Sequence, residues 1–496
     1  MSIWILLFSF LLLPLQVSNQ SLWIDEGDTA QYALQPDLHS WGEYLVHETI
    51  PNCQMPLSMW VAWSAAQTLG SAEWQLRAVN LLWAGGALLA MFFAGRILGC
   101  SWLPALLALQ PYFWFYDNEA RPYALEIFCG TLLVLGVAIF CRDRGQGARW
   151  AWTIAGGAVL LGYATMLAPF PLFATTAICA GVAYRGQWRI SRQARVPLLL
   201  GFLMLVPIGL YYLWTILRGV SFPVLWKSDW KGFCYLFYEL TGLSGLGPSL
   251  LELREAAQTK LLPAMLSRHW PELTLAGFAA IAWALLLLLA VRSLARAGRW
   301  HLLALFVAIP LLAGASLTVT GLVMKKMLWA RHWAPLFPFY VAAMALALKA
   351  HVSGGSGSRR LGLALASAWV VLLAVSAFSL RFSDKHRKDD YRAAAALAKE
   401  YLAHGHPVWW AASRNCALYY GLPAESAADS LAPQCYKVEP RNLTKTDRPL
   451  PPVIFLSRPS IYDPAGSIRS YAARNQMTSL ENRCRAFWIY LPPTAP

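Results

Sequence analysis

Long runs of apolar residues, separated by short polar turns, make up most of the chain as far as residue 380. Each run has roughly 17 to 22 residues, enough for an α-helix to cross a hydrocarbon layer of about 30 Å. The pattern therefore predicts about eleven membrane-spanning helices. The predicted spans are 2–18, 77–98, 101–116, 122–140, 151–167, 169–184, 197–217, 272–291, 302–321, 330–349 and 361–380.

The pattern changes after residue 381. Residues 389–403 have the composition of a helix, whereas 408–411, 453–456 and 487–491 are short apolar runs typical of strands. We therefore predict two domains, a membrane domain at 1–380 and a small soluble α/β domain at 381–496. The predicted fold class is an all-α polytopic membrane protein with this α/β addition.

Composition and charge support a membrane location. Apolar residues make up 57% of the chain, charged residues 14%, and the mean hydropathy is +0.43, which excludes an ordinary soluble protein. The net charge of +15 comes largely from arginines in alternate turns, as the positive-inside rule predicts, so we expect the bilayer and not nucleic acid as partner. This topology puts loops 19–75 and 218–271, the short loops 117–122 and 322–330, and the tail outside.

The first outer loop carries acidic residues directly after the first predicted span. Asp25, Glu26 and Asp28 lie in the segment Trp23-Ile24-Asp25-Glu26-Gly27-Asp28, and Glu48 follows later in the loop. A carboxylate at the membrane surface is suited to accept a proton from a hydroxyl that attacks an amphiphilic substrate. The alternative is that Asp25 caps an interfacial helix and the other acids are solvated.

The second short outer loop is Tyr116-Asp117-Asn118-Glu119-Ala120-Arg121-Pro122-Tyr123. Ionisable groups at the end of membrane helices are costly unless they face a cavity or a partner, so the loop is a candidate site. The alternative is an ion pair between Glu119 and Arg121 that only shapes the turn.

A third cluster consists of cations on the side opposite to the basic turns. Lys325, Lys326, Arg331 and His332 lie where two predicted spans meet. Lys and Arg there are suited to neutralise a phosphate that gains charge as a glycosyl bond breaks. The alternative is that these side chains reach the lipid headgroups without a catalytic role.

Together, these segments resemble the GT-C membrane glycosyltransferases, specifically the bacterial protein-mannosyltransferase-like and aminoarabinose-transferase-like branch that includes glycosyltransferase family 39. The resemblance covers residues 1 to about 350. It rests on the order of the segments Asp25-Glu26, Pro56-Leu57, Trp74-Gln75-Leu76-Arg77, Asn118-Glu119-Ala120-Arg121-Pro122-Tyr123 and Arg331-His332-Trp333-Ala334-Pro335.

The resemblance implies transfer of a sugar from a polyprenyl-phosphate donor, with inversion, to a lipid, glycan or protein acceptor at the outer face of a bacterial inner membrane. It implies Asp25 as the leading base, with Glu26 and Glu119 as further catalytic candidates. A divalent metal at Asp25 and Asp117 is also expected from the resemblance. The expected substrate-binding residues are Glu48, Arg77, Asp117, Arg121, Tyr123, Lys325, Lys326, Arg331 and His332. The C-terminal domain is expected in the periplasm.

Two other functions fit a helical membrane protein. A transporter or flippase would place its charges near the bilayer midplane, on broken helices within repeated halves, whereas the acids here lie in outer loops. A carrier-linked glycan ligase or polymerase uses the same donor chemistry, but the 218–271 loop mixes its basic residues with acids and lacks the arginine-rich character expected of such a ligase.

Overall fold

The structure, a computed structural model, describes residues 2–48, 51–220, 230–259, 262–324, 330–352, 356–425, 435–437, 452–480 and 483–493. Its first half is helical. The helices are α1 Ser2–Leu12, α2 Ile24–Ala33, α3 Leu38–His47, α4 Pro56–Leu69, α5 Glu73–Leu98, α6 Leu103–Ala108, α7 Pro111–Asp117, α8 Tyr123–Asp143, α9 Arg149–Ala164, α10 Pro169–Arg185 and α11 Arg195–Leu217. Short 3₁₀ turns at Leu13–Leu15 and Pro51–Gln54 follow α1 and precede α4.

The second half of the helical region runs to Phe382. Its helices are α12 Trp230–Leu240, α13 Leu250–Thr259, α14 Leu262–Arg268, α15 Trp270–Arg296, α16 Trp300–Leu303, α17 Ile309–Val323, α18 Phe337–Val352 and α19 Ser356–Phe382. A π-helical turn, Ala304–Ala308, joins α16 to α17, and a 3₁₀ turn, Ala330–Trp333, precedes α18.

Five helical segments within the described ranges are long and apolar enough to cross a membrane: Glu73–Leu98, Tyr123–Asp143, Arg192–Leu217, Trp300–Val323 and Gly362–Phe382. Three shorter apolar helices are Ile3–Leu15, Trp270–Leu285 and Phe337–Ala350. The chain is therefore a multi-pass membrane protein, and the count of eleven spans stays a prediction.

One predicted span is wrong as a single helix. Residues 101–116 form α6 and α7, which are separated at Leu109 and Gln110. Pro111 is the cause, because a proline has no amide to donate and disfavours helical backbone in the residue before it. The break lets α7 end at Asp117, where the second candidate loop begins.

The C-terminal α/β region, residues 391–491, is the layer predicted from the sequence. Its helices are α20 Tyr391–Ala403, α21 Arg414–Tyr419, α22 Pro459–Tyr462 and α23 Ser467–Arg474. Its strands are β1 Val408–Ala411, β2 Ala424–Glu425, β3 Cys435–Lys437, β4 Val453–Ser457, β5 Thr478–Leu480 and β6 Phe487–Leu491. The predicted helix and three predicted strands are confirmed as α20, β1, β4 and β6, whereas β2, β3 and β5 were missed because they have two or three residues.

The six strands form one mixed sheet in the order β2-β3-β1-β4-β6-β5. The strands from β2 to β4 are parallel, and β6 is antiparallel to both β4 and β5. β1 and β4 are buried along their whole length, as expected for central strands covered on both faces. The sheet therefore has a core of its own, and α20 packs on one side of it.

The α/β region rests on α2 of the first loop. Ile24 packs against the core of the α/β region, and α2 lies against α21. Gly27 is at the closest approach, because a Cβ at this position would overlap Cys416 Sγ and lie 3.0 Å from the Cys416 amide nitrogen. The small residue in the middle of α2 thus lets the two segments meet.

Candidate active site

The site forms where three segments distant in sequence meet: α2, the loop 117–122 and the 3₁₀ turn Ala330–Trp333. Arg331 Nη1 donates to Asp25 Oδ2 in a short ion pair. Arg121 Nη1 donates to the Asp25 carbonyl oxygen at 3.1 Å, to Thr29 Oγ1 at 3.1 Å and to Asn52 Oδ1 at 2.9 Å. Three of the segments predicted to carry chemistry therefore converge.

Asp25 is a carboxylate surrounded by guanidinium groups. Burial by itself raises the pKa of Asp25, but Arg331, Arg121 and Arg458 together outweigh it and hold the pKa below its usual range. The side chains of Asp25 and Arg331 are 22% and 26% exposed, so both stay accessible to a ligand. Asp25 is consequently ionised and partly exposed at neutral pH.

The carboxylate of the neighbouring residue, Glu26, is not accessible to a ligand. Its side chain is fully buried and forms a bidentate ion pair with Arg77. Arg77 Nε donates to Oε1 at 2.8 Å, and Nη2 donates to Oε2 at 2.7 Å. Lys388 Nζ, the Ala120 amide and the Trp23 amide donate to the same carboxylate at 3.0, 2.8 and 3.3 Å. Burial raises the pKa of Glu26, but these partners lower it to about 2.

This geometry is suited to a structural role for Glu26 and Arg77, and their catalytic and substrate-binding roles stay predictions. Besides its ion pair with Glu26, Arg77 donates to the carbonyl oxygens of Ser18, Gln20 and Ser21 at 2.9, 2.7 and 3.2 Å. The pair thus ties the entry of the first loop, the second loop and the start of α5 together.

Glu119 is the second candidate by chemistry. It is buried, and its Oε2 has no hydrogen-bond partner. Burial raises the pKa of Glu119 to about 7, with Glu26 and Asp25 adding to the rise and Lys388 and Arg331 opposing it. The predicted alternative of an ion pair with Arg121 does not describe the loop, because Arg121 turns to the first loop instead.

Asp117 lies away from Asp25, in a buried position beside Gln16, whose amide nitrogen is 2.9 Å from Oδ2 in the donating orientation. Burial raises the pKa of Asp117 to about 8, so this carboxyl is largely protonated at neutral pH. Asp25 meanwhile has three cations around it. These surroundings do not fit the predicted metal, and no group of three or more His, Cys, Asp or Glu suited to a metal occurs in the described ranges.

The remaining predicted residues divide into two groups. Tyr123 packs edge to face on Tyr116, next to Arg331 and Arg121, and His332 follows Arg331 in the same turn. Glu48 follows the last residue of α3 and is hydrogen-bonded to Tyr44. Lys325 and Lys326 lie outside the described residues.

Sequence reasoning missed what the C-terminal part of the chain contributes. Lys388 Nζ reaches Glu26 and the Asn118 carbonyl oxygen at 2.6 Å, and burial lowers the pKa of Lys388 to about 8. Arg458 stacks over the Trp23 ring at 5.0 Å and pairs with Asp389 at 2.6 Å. Asn415 donates to Asp28 Oδ1 at 2.8 Å. Only the charged segment 388–392 was a signal in the sequence; Arg458 and Asn415 carry none.

A small cleft lies beside Arg121, between α4, α5 and α8. Its walls are mainly apolar, with Met59, Val79, Trp83 and Leu125 among them. Its polar members are Thr29, Ser58, Asn80 and Arg121.

The fold resembles that of ArnT from Cupriavidus metallidurans. The crystal structure of its apo state matches with a TM-score of 0.53 and 13% sequence identity, over 98% of this chain and 97% of that chain. The crystal structure of ArnT bound to undecaprenyl phosphate matches with a TM-score of 0.51, at the same identity and coverage. A cryo-EM structure of arabinofuranosyltransferase AftD from Mycobacteria gives a TM-score of 0.44 and 15% identity, over 100% of this chain and 40% of that chain.

No protein-family model and no curated protein sequence matches the chain. The likeness to ArnT nevertheless extends from the first helix to the C-terminal sheet, because almost all of both chains is covered. The fold predicted from the resemblance to the GT-C membrane proteins is therefore confirmed: this chain has a GT-C fold of the ArnT type.

Proposed function

We propose that this protein transfers a sugar from a polyprenyl-phosphate donor to an acceptor at the outer face of a bacterial inner membrane, with inversion at the anomeric carbon. The observation that carries the proposal is the Asp25–Arg331 ion pair at the meeting point of the three loops. The likeness to ArnT, of which one structure has undecaprenyl phosphate bound, supports the carrier class.

The ion pair holds both charges that such a displacement needs. The acceptor hydroxyl attacks the anomeric carbon and loses its proton to Asp25. The bond between that carbon and the phosphate oxygen breaks, and its electron pair stays on the phosphate. Arg331 then neutralises the phosphate, and this charge-assisted contact strengthens as the bond breaks.

Two unpaired donors support an anionic ligand at this place. Arg331 Nε and Arg121 Nε are buried without a hydrogen-bond partner. A buried N–H without a partner is costly, so a phosphate or a sugar oxygen that accepts from it is favoured.

The supporting parts of the site follow from the same geometry. Glu119 is our candidate for a hydrogen bond to a hydroxyl of the sugar, and its unpaired Oε2 and raised pKa support this role. Glu26, Arg77 and Lys388 hold the loops in position. We propose no metal-dependent step, because the guanidinium groups around Asp25 already supply positive charge.

The test is transfer by the purified protein in nanodiscs, with a panel of radiolabelled polyprenyl-phosphate sugars and a membrane extract as acceptor. We expect one donor to give product with the wild type, and Asp25→Asn to lower the rate by a factor of about 10² or more, the range typical of a lost general base. Size-exclusion profile and melting temperature serve as controls for folding.

Either of two results would overturn the proposal. Near-normal transfer by Asp25→Asn would remove Asp25 as the base. Absence of transfer from every donor by folded wild type would favour the transporter or the carrier-linked ligase, which uptake into proteoliposomes and polymer formation then separate.

A further inference from the structure

Asp28 lies on the same face of α2 as Asp25, three residues further along the helix. Residues so spaced are neighbours on a helix surface, with Cβ atoms about 5 to 6 Å apart. This face of α2 therefore carries two carboxylates.

The surroundings fix the Asp28 side chain in one orientation. Asn415 Nδ2, from α21 of the C-terminal α/β region, donates to Oδ1 at 2.8 Å, and Asn52 provides a second side-chain hydrogen bond. Asn52 also accepts from Arg121. Asp28 is thus linked through one amide to the guanidinium that binds the Asp25 carbonyl.

The two carboxylates differ in charge environment. Asp25 has Arg331 as a direct partner, whereas Asp28 has neutral amides as direct partners. The ionisable groups that interact with Asp28 come from every segment around it: Asp25, Arg121, Tyr44, Tyr462 and Cys416. Arg121 is the cation among these groups.

We propose that Asp28 is a second proton acceptor of the site and takes over the proton that the acceptor hydroxyl loses to Asp25. This inference rests on the proposed function. In the full step the hydroxyl oxygen bonds to the anomeric carbon, the phosphate leaves with the electron pair of its bond, and the proton moves from the hydroxyl to Asp25 and on to Asp28.

The direction of this transfer follows from the two environments. Burial, followed by the negative charge of Asp25, raises the pKa of Asp28 to about 6, although Asn415, Arg121 and Asn52 oppose the rise. The arginines hold the pKa of Asp25 below its usual range. A proton that arrives on Asp25 is therefore more stable on Asp28, and its departure restores Asp25 for the next cycle and for pairing with Arg331.

The experiment measures the initial transfer rate against pH for wild type, Asp28→Asn, Asp28→Glu and Asn415→Ala, with the radiolabelled donor that gives product with the wild type. We expect the wild-type rate to fall as pH drops below about 6, because protonated Asp28 takes no further proton. Asp28→Asn lowers kcat at least about tenfold at neutral pH and removes this acidic limb. Asp28→Glu restores part of the rate and the limb.

Asn415→Ala is the matched control, because it removes the contact from the α/β region and keeps the carboxylate. Loss of that hydrogen bond raises the pKa of Asp28, so the acidic limb should move to higher pH in this variant. This shift is measurable even if Asp28→Asn folds poorly.

Two outcomes overturn the inference while leaving the proposed function intact. One is that Asp28→Asn keeps the wild-type rate and the wild-type fall in rate at acidic pH. The other is an equal loss of rate in Asp28→Asn and Asn415→Ala with an unchanged limb, which would make Asp28 only an anchor for the α/β region. Wild type without transfer from any donor would instead overturn the proposed function together with this inference.

Discussion

Two ion pairs, formed by acids adjacent in sequence, illustrate two uses of charge in this protein. The Glu26–Arg77 pair is fully buried, and its carboxylate accepts hydrogen bonds from four different residues. The Asp25–Arg331 pair is about one quarter exposed, and Arg331 Nε has no partner. The first pair holds the loops in place, whereas the second leaves a donor, Arg331 Nε, for a ligand.

The difference arises from helix geometry. Residues adjacent in an α-helix point about 100° apart, so one turn of α2 directs Glu26 inward and Asp25 to another side. Arg77 and Lys388 converge on the inward side, and Arg331 on the other. A buried pair with all its hydrogen bonds made is suited to stability, and a pair with an unpaired donor is suited to chemistry. Each role can be tested by removing one partner of the pair.

The largest effect is expected from Glu26→Ala. It leaves Arg77 and Lys388 buried without their counter-charge, and breaking a buried pair in this way costs about 3–5 kcal/mol. We expect a large drop in melting temperature, or loss of folded protein, in detergent. Glu43→Ala, which removes an exposed i, i+4 pair with His39, is the control and should change little. Equal melting temperatures of the two variants would mean that Glu26 does not tie the loops.

Asp25→Asn should give the opposite result. Its pair with Arg331 is partly solvated, so removal of the charge is expected to cost less stability than loss of the fully buried Glu26 pair. The variant would then melt close to the wild type while transfer is lost. If Asp25→Asn unfolds as readily as Glu26→Ala, the two pairs do not differ in the way described above.

A further effect on stability is expected where α2 meets the α/β region. Gly27→Ala places a methyl group against Cys416 Sγ and its amide, and overpacking of this kind costs about 1–3 kcal/mol. Gly42→Ala in α3 is the matched control, since a Cβ there meets nothing within 4 Å. We expect a lower melting temperature and a lower transfer rate for Gly27→Ala alone. An unchanged melting temperature would show that α21 moves aside without cost.

A pH-dependent effect on stability is expected at Glu119. The folded pKa of Glu119, about 7, is above its ordinary value of 4.5, so its contribution to stability is complete below pH 4.5 and is lost as pH rises through 7. Glu119→Gln has no such proton, so the difference in melting temperature between wild type and this variant should change with pH in that window. Melting curves at pH 5 and pH 7.5 measure it. A gap that is independent of pH would place the Glu119 carboxyl in contact with water.

The sequence predicted the helical region and much of the α/β region because both depend on local patterns. Apolar length located the helices, and short apolar runs located β1, β4 and β6. The break between α6 and α7 was missed, although Pro104 and Pro111 were visible, because apolar length alone does not distinguish one helix from two. The candidate acids and arginines were visible in the sequence, but the partners that surround each of them were not.

The sequence by itself determined that this chain is a membrane protein with charged loops between its helices, since hydropathy and charge are properties of short segments. Only the tertiary structure decided which acid is buried and which is accessible. Asp25 and Glu26 have almost the same chemistry, and their environments come from Arg77, Arg331, Lys388 and Arg458, which lie from about 50 to more than 400 residues away. Burial and charge pairing are properties of the folded neighbourhood, and no local pattern records which distant side chain will supply them.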